Sequence, residues 1–216
     1  ALIGLREVRE ISGIPYVMVR ARALRPHQLR LKRFFELIVV LVVSPFIFIT
    51  TLVVSLWLKA ALGSNIILTQ KRVGMDEKVF TLFKFRTMRV DAESERGAQL
   101  AESDDARVVK GCHWLRRTRF DELPQFWNVL KGDMSLVGPR PERPELVADF
   151  AKVIPGYGRR HEIPPGITGL AQTRGRYHTD ASYKLGHDLQ YLMSWSLILD
   201  LQIIARTLVV MFRRKL

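Results

Sequence analysis

The sequence contains 216 residues, of which 48% are hydrophobic and 25% are charged, a composition that argues against an extended disordered chain. Lysine and arginine number 34 against 21 aspartates and glutamates, and the net charge of +13 predicts an anionic partner such as lipid head groups, nucleic acid or a phosphorylated substrate. A single cysteine, Cys112, excludes an internal disulfide framework and a cysteine-based zinc site.

The N-terminal segment, residues 1–27, is basic and too short to bury a hydrophobic core of its own. Within it, the apolar run GIPYVMV at 13–19 predicts a short strand. We therefore expect residues 1–27 to be a linker or the remnant of an upstream region, distinct from the unit that follows.

A long apolar run occupies residues 34–58, and its only charged residue is Glu36 near the start. Its length predicts a transmembrane helix. Ser44 and Pro45 lie near its middle, and a kink is expected there because proline lacks an N–H donor and clashes with the preceding turn. Either half alone would be ~16–20 Å long, which is too short to cross a hydrocarbon core of ~30 Å.

Positive charge lies on both sides of this run. The flanking cations are Arg30, Lys32 and Arg33 before it and Lys59, Lys71, Arg72, Lys78, Lys84 and Arg86 after it. Because cytoplasmic flanks carry the excess of lysine and arginine, neither end is marked as the external one. Two topologies remain open: a re-entrant helix-break-helix that returns to the same membrane face, and a straight span kinked by proline.

The rest of the chain predicts a mixture of short elements. Residues 64–90 contain alternating apolar stretches around Gly74 and predict a β-hairpin. After them follow a polar segment, a helical segment and two turn-rich loops, at 91–107, 112–131, 138–145 and 164–170 respectively. Asp200 and Arg206 interrupt the apolar stretch at 189–216, which is typical of an amphipathic helix in the membrane interface; a core helix of a soluble domain is the alternative.

Two adjacent carboxylates, Asp121 and Glu122, stand at the predicted start of a helix. Asp121 is a favourable N-cap, Pro124 is tolerated in a first helical turn, and Gly132 is a typical helix end. One apolar face is predicted at Leu123, Phe126, Trp127 and Leu130, and three arginines precede the pair, at Arg116, Arg117 and Arg119. A carboxylate in this setting is expected to be ionised and available as a nucleophile or metal ligand, whereas the alternative is plain capping with surface salt bridges.

Fixed cations accompany the carboxylates. Arg140 lies between Pro139 and Pro141, which stiffen its backbone and suit a guanidinium fork that binds phosphate through two oxygens. Lys84 and Arg86 alternate with phenylalanines on the predicted strand, which places both cations on one side. Two acids, several fixed cations and a membrane element together indicate phosphoryl transfer onto a lipid phosphate.

Several segments resemble the bacterial sugar transferases, the monotopic phosphoglycosyl transferases that initiate glycoconjugate assembly. The matching segments are QKRVG (70–74), FKFRTM (83–88), DELPQFWNVLKGDMSLVGPRP (121–141), PPGITGLAQTRGR (164–176) and DLQYLMSWSLILDLQII (188–204). The resemblance covers about residues 28–212, and the start of the apolar run, together with Ser44 and Pro45, matches the family's re-entrant membrane helix.

The resemblance implies a fold and a location. The expected fold is mixed α/β and mainly α: a membrane-embedded monotopic domain with a re-entrant helix at 28–62 and a catalytic domain at 63–216. The catalytic domain would carry a small β-hairpin and interfacial amphipathic helices. The expected location is the cytoplasmic face of the bacterial inner membrane, with membrane lipids as neighbours.

The resemblance also implies a two-step covalent reaction with Mg²⁺. Asp121 would attack the β-phosphate of a UDP-sugar, expected to be a UDP-hexose; UMP would leave, and undecaprenyl phosphate would take the phosphosugar to start an exopolysaccharide, capsule or O-antigen. Glu122 matches the second acid of the family's dyad, which is associated with magnesium, and Arg140 matches its phosphate-binding arginine. Further substrate-binding candidates are Lys84, Arg86, Arg72, Gln172 and Arg174. Phe120 departs from the commoner pattern, in which a small residue often precedes the dyad.

Two other functions compete with this enzyme. A non-catalytic basic membrane adaptor of a glycan-assembly complex would share the charge and the apolar run, but it has no need of the Asp121–Glu122 pair or of Arg140. Nucleic-acid binding would explain the net charge of +13, but it lacks a recognition motif and leaves residues 34–58 unexplained. We therefore expect a transferase without a nucleic-acid partner, and a homodimer stays open.

Overall fold

The computed structural model describes residues 5–11, 14–19, 24–63, 65–89, 107–174 and 180–213. Its helices are α1 (Pro26–Leu62), α2 (His113–Thr118), α3 (Gln125–Lys131), α4 (Pro144–Val153), α5 (Leu170–Arg174), α6 (Ala181–Ser194) and α7 (Leu197–Arg213), with short 3₁₀ turns at Met75–Glu77, Phe120–Glu122 and Tyr157–Glu162. Its strands are β1 (Leu5–Ile11), β2 (Ile14–Val19), β3 (Ile67–Val73), β4 (Val79–Phe85), β5 (Ser135–Val137) and β6 (Gly166–Thr168). A mixed, mainly helical fold is thereby confirmed; the polar segment expected at 91–107 lies, apart from Arg107, outside the described residues.

The strands of the described ranges form small two-stranded sheets. β3 and β4 pair antiparallel, with Val73 opposite Val79, so the hairpin predicted around Gly74 is confirmed. β5 and β6 pair in parallel, with Ser135 opposite Gly166. This parallel pair joins two segments that are far apart in the sequence. It brings the turn-rich loop at 138–145, which follows β5, next to the turn-rich loop at 164–170, which contains β6.

The N-terminal segment forms a hairpin of which the sequence pattern predicts one strand. The strand expected at 13–19 is β2, and it pairs antiparallel with β1, which the pattern does not predict. In β1 the apolar residues Leu5, Val8 and Ile11 are three apart, a spacing that favours a helix over a strand. Pairing with β2 therefore overrides the local periodicity.

The helix α1 contains 37 residues, which corresponds to a length of ~55 Å. It continues through Ser44 and Pro45, so the predicted helix break is not an interruption of the helix, and a re-entrant path requires a bend within it. Pro45 has no N–H for the carbonyl of Leu41, four residues earlier, and the Ser44 hydroxyl donates to that carbonyl at 2.8 Å. The Ser44 hydroxyl thus replaces the backbone hydrogen bond that Pro45 cannot donate to Leu41.

The middle of α1 is exposed, whereas both of its ends pack on the rest of the protein. Leu41 and Val42 are each 73% exposed, and among the described residues α1 is the one helix long and apolar enough to cross a membrane. Val40, toward the first end, belongs to a core shared with β4, β5, α3 and α7. Val54 and Leu58, toward the second end, belong to a core shared with β4 and α2. Both ends of the helix therefore contact the same folded body.

A buried ion cluster of Lys32, Glu36 and Asp200 joins the first end of α1 to α7. The Lys32 ammonium lies 2.8 Å from Glu36 Oε1 and 2.9 Å from Asp200 Oδ2. The Tyr191 phenol donates to Asp200 at 2.6 Å, and Glu36 Oε1 also accepts the Ser135 hydroxyl and a backbone N–H of β5 at 3.1 Å. The three charged side chains are at most 5% exposed, so the cluster is an internal joint between α1, α6, α7 and β5.

The apolar face predicted for α3 is confirmed only in part, because Leu123 and Phe126 pack against the cores and the other two residues do not. Trp127 and Leu130 of the predicted apolar face are 58% and 49% exposed, whereas Gln125 and Asn128 are buried. Asn128 Nδ2 donates to the Thr81 carbonyl at 2.7 Å, and Asn128 Oδ1 accepts the backbone N–H of β4 at 3.1 Å. The polar side chain turns inward because it satisfies backbone groups of β4 that have no strand partner on that side.

The C-terminal stretch is divided between two helices rather than forming the single helix predicted for 189–216. α6 ends at Ser194 and α7 begins at Leu197. α7 buries Asp200 and Ile203 and exposes a series of large apolar residues: Ile198, Leu201, Leu208 and Val209. Such a face suits the membrane interface, which stays a prediction for this helix.

Candidate active site

The adjacent carboxylates lie in the 3₁₀ turn Phe120–Glu122 rather than at the helix N-cap that the sequence predicts. Arg119 ends α2 with a left-handed backbone (φ 60°, ψ 17°), and α3 begins only after Pro124. The predicted helix end at Gly132 is confirmed, with φ 89°. Asp121 and Glu122 are therefore held between two short helices, and the capping role proposed for Asp121 is wrong.

Glu122 is the electrostatic anchor of the site. It is 8% exposed, and its Oε1 accepts from Arg140 Nη2 at 2.9 Å and from Arg119 Nη1 at 3.2 Å. Burial alone would raise the pKa of Glu122, but the charges of Arg140 and Arg119 outweigh it and hold that pKa below the ordinary glutamate value. Glu122 is consequently a stable anion that orients two guanidinium groups.

Asp121 differs from Glu122 in its hydrogen bonding and in the direction of its pKa shift. Its buried Oδ1 has no hydrogen-bond partner among the described residues. Burial and the adjacent Glu122 raise the pKa of Asp121, and the charges of Lys84, Arg119 and Arg116 oppose that rise. An unpartnered carboxylate oxygen beside cations is suited to attack an electrophile or to bind a ligand.

A cleft next to this pair is rimmed by cations. It is a small cleft of about 20 Å³, lined by Arg72, Leu82, Lys84, Gln125, Arg140 and Pro141. Burial lowers the pKa of Lys84 to about 8, although Asp121 opposes the shift. Burial, followed by the charge of Arg140, lowers the pKa of Arg72 to about 10. Positive charge is concentrated here at a cost in desolvation, which an anionic ligand would offset.

The loop that carries Arg140 is fixed from behind. Arg160 Nη2 donates to the Arg140 carbonyl at 2.9 Å and lies 2.9 Å from Asp188 Oδ2, and its Nη1 donates to the Tyr157 hydroxyl at 2.5 Å. Arg72 Nη1 donates to the Pro141 carbonyl at 3.2 Å. The backbone of this loop is thus held by two other arginines, so the Arg140 guanidinium starts from a defined position.

The two turn-rich loops predicted from the sequence, at 138–145 and 164–170, are in direct contact. The Gly166 N–H donates to the Pro139 carbonyl at 2.9 Å, and the Gly138 N–H donates to the Thr168 carbonyl at 2.8 Å. A Cβ on Gly138 would lie 2.5 Å from the Pro164 carbonyl oxygen. Only glycine allows this approach, which explains why glycines flank both loops.

Three predicted site residues lie away from the cleft. The Arg86 N–H donates to the Ile66 carbonyl at 2.8 Å, and its side chain donates to the Leu62 carbonyl at 3.4 Å, beside the end of α1. Gln172 Nε2 donates to the Ile167 carbonyl at 3.0 Å. Arg174 donates to Gln190 on α6 at 3.3 Å. Of the predicted set, the described structure therefore groups these: Asp121, Glu122, Arg140, Lys84 and Arg72.

Several residues of the site are absent from the sequence-based candidates. Arg119 could have been predicted, because it lies three residues before Glu122 and this spacing allows an ion pair on a helical turn. Gln125 lines the cleft, and Glu142 lies 3.7 Å from Arg72. Arg160 carries no sequence signal, because its role depends on a loop 20 residues away.

The site fits a divalent cation only in company with a ligand. The described residues contain no group of three or more histidine, cysteine, aspartate or glutamate side chains that could hold a metal. Mg²⁺ is commonly bound by one or two carboxylates together with substrate phosphates. Asp121 and Glu122 supply that number, and the Oδ1 of Asp121 has no hydrogen-bond partner among the described residues.

Comparison with known proteins identifies the family that the chain resembles. The profile of a family described as bacterial sugar transferase matches residues 27–214. A Klebsiella pneumoniae UDP-glucose:undecaprenyl-phosphate glucose-1-phosphate transferase is 40% identical over 92% of this chain and 43% of its own length. An Aeromonas hydrophila UDP-N-acetylgalactosamine-undecaprenyl-phosphate N-acetylgalactosaminephosphotransferase is 39% identical over 82% of this chain and 43% of its own. A Bacillus subtilis sugar transferase, EpsL, is 41% identical over 82% of this chain and 85% of its own. The chain thus spans less than half of the first two relatives.

Proposed function

Because the chain belongs to the bacterial sugar transferase family, we propose that it transfers a sugar-1-phosphate from a UDP-sugar to undecaprenyl phosphate and releases UMP. The observation that carries the proposal is the unpartnered, buried Asp121 oxygen beside a cleft rimmed by Arg72, Lys84 and Arg140. We propose a UDP-hexose as donor, and the two named relatives make glucose and N-acetylgalactosamine the first sugars to test.

In the first step a carboxylate oxygen of Asp121 attacks the β-phosphorus of the UDP-sugar. A new bond forms between that oxygen and phosphorus, and the bond from phosphorus to the oxygen bridging the two phosphates breaks. The bridging oxygen leaves with its electron pair as part of UMP. The sugar-1-phosphate remains on the enzyme as a mixed anhydride of Asp121.

In the second step a phosphate oxygen of undecaprenyl phosphate attacks the same phosphorus. The bond from phosphorus to Asp121 breaks, the carboxylate is regenerated, and undecaprenyl-diphosphate-sugar is released at the membrane. Both nucleophiles are anions attacking an anionic phosphorus centre, so the protein has to offset charge throughout.

The cations of the cleft meet this requirement. Arg140 is held by Glu122 through one N–H, its side chain is 42% exposed, and the rest of its guanidinium fork is available for the diphosphate. Lys84 and Arg72 supply further charge from partly buried positions. Mg²⁺, held by the Asp121–Glu122 pair together with the substrate, would offset more of the phosphate charge.

The test of this function is UMP release from a panel of UDP-sugars by the membrane-reconstituted protein. Without acceptor, release should stop at one UMP per enzyme and leave a phosphosugar on Asp121 that mass spectrometry detects. Added undecaprenyl phosphate should then restart turnover. Absence of UMP release with every donor would favour the non-catalytic adaptor, and release that always requires acceptor would reject the covalent intermediate.

Arg140→Lys is expected to slow single-turnover UMP release ~10- to 100-fold, because one charge-assisted hydrogen bond of ~1.5–3 kcal/mol is lost with the planar fork. Arg140→Ala should be at least as slow. Arg159→Lys is the matched control, since Arg159 pairs with Glu162 outside the cleft and the exchange should leave the rate unchanged. A lysine variant as fast as wild type beside a slow alanine variant would replace bidentate recognition with a simple charge requirement.

The pH dependence of kcat/KM should have two limbs. The nucleophile must be ionised, and since the pKa of Asp121 is raised, the acid limb should lie above the range of an ordinary aspartate. Lys84 must be protonated to attract the diphosphate, so kcat/KM should fall as pH rises through about 8. The charged groups acting on Lys84 are Asp121, Arg72, Arg140 and Glu122. In Lys84→Arg the alkaline limb should disappear, because a guanidinium stays protonated there; a limb unchanged in this variant would exclude Lys84 as its source.

The proposed topology is re-entrant, with both ends of α1 on the cytoplasmic face of the bacterial inner membrane. Its support is that both ends contact one folded body while the middle is exposed. Single cysteines at Arg30 and Leu62, in a Cys112→Ser background, should both resist a membrane-impermeant thiol reagent in intact cells. Both should react once the membrane is opened. Labelling of either position from outside would require the straight span instead.

A further inference from the structure

Three aromatic rings in contact lead from α1 to the residue that precedes Asp121. Trp57 on α1 and Trp114 on α2 meet edge to face, with ring centroids 5.5 Å apart and planes at 72°. Trp114 meets Phe120 in the same way, with centroids 6.1 Å apart and planes at 75°. Phe120 immediately precedes Asp121. These rings, Trp57, Trp114 and Phe120, are called the aromatic ladder below.

The aromatic ladder is not an ordinary piece of core. Trp57 and Trp114 are 36% and 40% exposed, whereas Phe120 packs partly on the second core, against residues such as Leu115 and Cys112. Large exposed rings in contact present a continuous apolar surface, and such surfaces mark binding sites more often than chance. The ladder is therefore half-covered by the protein and available on its other side.

The ends of the ladder differ in chemistry. At Phe120 the ladder ends at the residue that precedes Asp121, on which Arg116 and Arg119 act electrostatically. At Trp57 it continues into the exposed apolar surface of α1, with Val53 and Leu56 60% and 61% exposed. A ligand that follows the ladder would thus carry an anionic group at one end and a long apolar chain at the other.

We propose that the aromatic ladder binds the first isoprene units of the acceptor and so delivers its phosphate to the phosphosugar on Asp121. The assignment rests on the proposed function, and it adds a binding site to it. A bulk phospholipid could also cover the two tryptophans. It does not react with Asp121, so its function does not require it to extend along the ladder towards that residue. The acceptor must reach that point, because its phosphate oxygen attacks the phosphorus held by Asp121.

The two half-reactions separate this site from the donor cleft. In the pair Trp57→Ala with Trp114→Ala, single-turnover UMP release in the absence of acceptor should match wild type. Transfer from the preformed phosphosugar enzyme should need a concentration of undecaprenyl phosphate higher by about tenfold or more, since two aromatic contacts are lost. Farnesyl phosphate, a short-chain acceptor, should show the same loss, because the ladder touches only the units next to the phosphate.

Trp127→Ala is the matched control, because Trp127 is 58% exposed on α3 and is not part of the ladder. It should leave both half-reactions unchanged. If it raises the acceptor requirement as much as the ladder pair does, general membrane anchoring replaces the proposal. Phe34→Ala, in the apolar groove beside the first turns of α1, provides a second comparison, and a selective acceptor defect there with none in the ladder pair would relocate the acceptor.

Remaining outcomes are also decisive. If the ladder pair transfers to acceptor like wild type, the ladder is not the acceptor site, and UMP release by the same protein leaves the proposed function standing. If wild type itself releases no UMP, both proposals fall. Should the alanine pair lose UMP release through damage to the fold, Trp57→Leu with Trp114→Leu keeps apolar bulk without a ring face; a normal acceptor requirement in that pair would overturn the proposal.

Discussion

Asp121→Asn is expected to abolish UMP release, with a loss of at least ~10⁴-fold, because an amide oxygen is a very poor nucleophile towards phosphorus. The substitution keeps the shape of the side chain. It also removes no hydrogen bond from Asp121 Oδ1, which has no partner among the described residues. Since burial and Glu122 already raise the pKa of Asp121, a neutral group there relieves repulsion, and stability should be retained or slightly increased.

The measurement combines single-turnover UMP release, mass spectrometry of the trapped phosphosugar and the thermal midpoint in detergent. Asp149→Asn is the matched control, because Asp149 is an exposed carboxylate of α4 that pairs with Lys152 away from the cleft. It should release UMP at the wild-type rate. Substantial UMP release by cleanly purified Asp121→Asn would reject Asp121 as the nucleophile, and an intact fold with no release would separate the chemical role from a structural one.

Lys32→Met is expected to destabilise the protein by about 3–5 kcal/mol, the usual consequence of leaving buried charges without their partner. The ammonium lies within 2.9 Å of Asp200 and 2.8 Å of Glu36, and methionine would leave both carboxylates buried without it. Glu36 also receives hydrogen bonds from β5, the strand that leads into the loop of Arg140. The variant should therefore lose activity together with stability.

Chemical unfolding in detergent checks this expectation. Lys152→Met provides the control, since Lys152 forms an exposed pair whose removal should change stability by at most about 0.5 kcal/mol. A triple variant, Lys32→Met with Glu36→Gln and Asp200→Asn, should recover much of the loss, because no charge remains buried. If Lys32→Met alone matches wild type, the cluster contributes no net stability and the joint between α1 and α7 depends on apolar packing.

The features that the sequence predicts correctly depend on nearby residues. The hairpin of β3 and β4 follows from alternation around a glycine, and the end of α3 follows from Gly132, whose φ of 89° other residues adopt at a cost. The orientation of α3 could not be predicted in this way. Its buried face includes Asn128, whose partner Thr81 is 47 residues away, whereas local hydrophobicity also places the exposed Trp127 and Leu130 on that face.

In the candidate site, too, the residues identified by local sequence could be predicted, and those grouped by tertiary contacts could not. Asp121 and Glu122 stand out because two acids are adjacent after three arginines, and Arg140 stands out because it lies between two prolines. Grouping Lys84 and Arg72 with them while leaving Arg86 aside depends on how β4 ends beside α1, and that is a tertiary property. The pairing of β5 with β6, which joins the two turn-rich loops, is parallel and long-range. Local periodicity does not predict such a pairing.

The buried ion cluster has a consequence for biosynthesis. Asp200 follows Lys32 by 168 residues, and Ser135 follows Glu36 by 99. At ~5–20 residues per second, the ribosome needs roughly 10–30 s to supply Asp200 after Lys32 has emerged. During that interval Lys32 has Glu36, one turn later on α1, as its partner within the cluster. Lys32 and Glu36 thus meet the bilayer paired with each other, and α7 completes the buried ion cluster later.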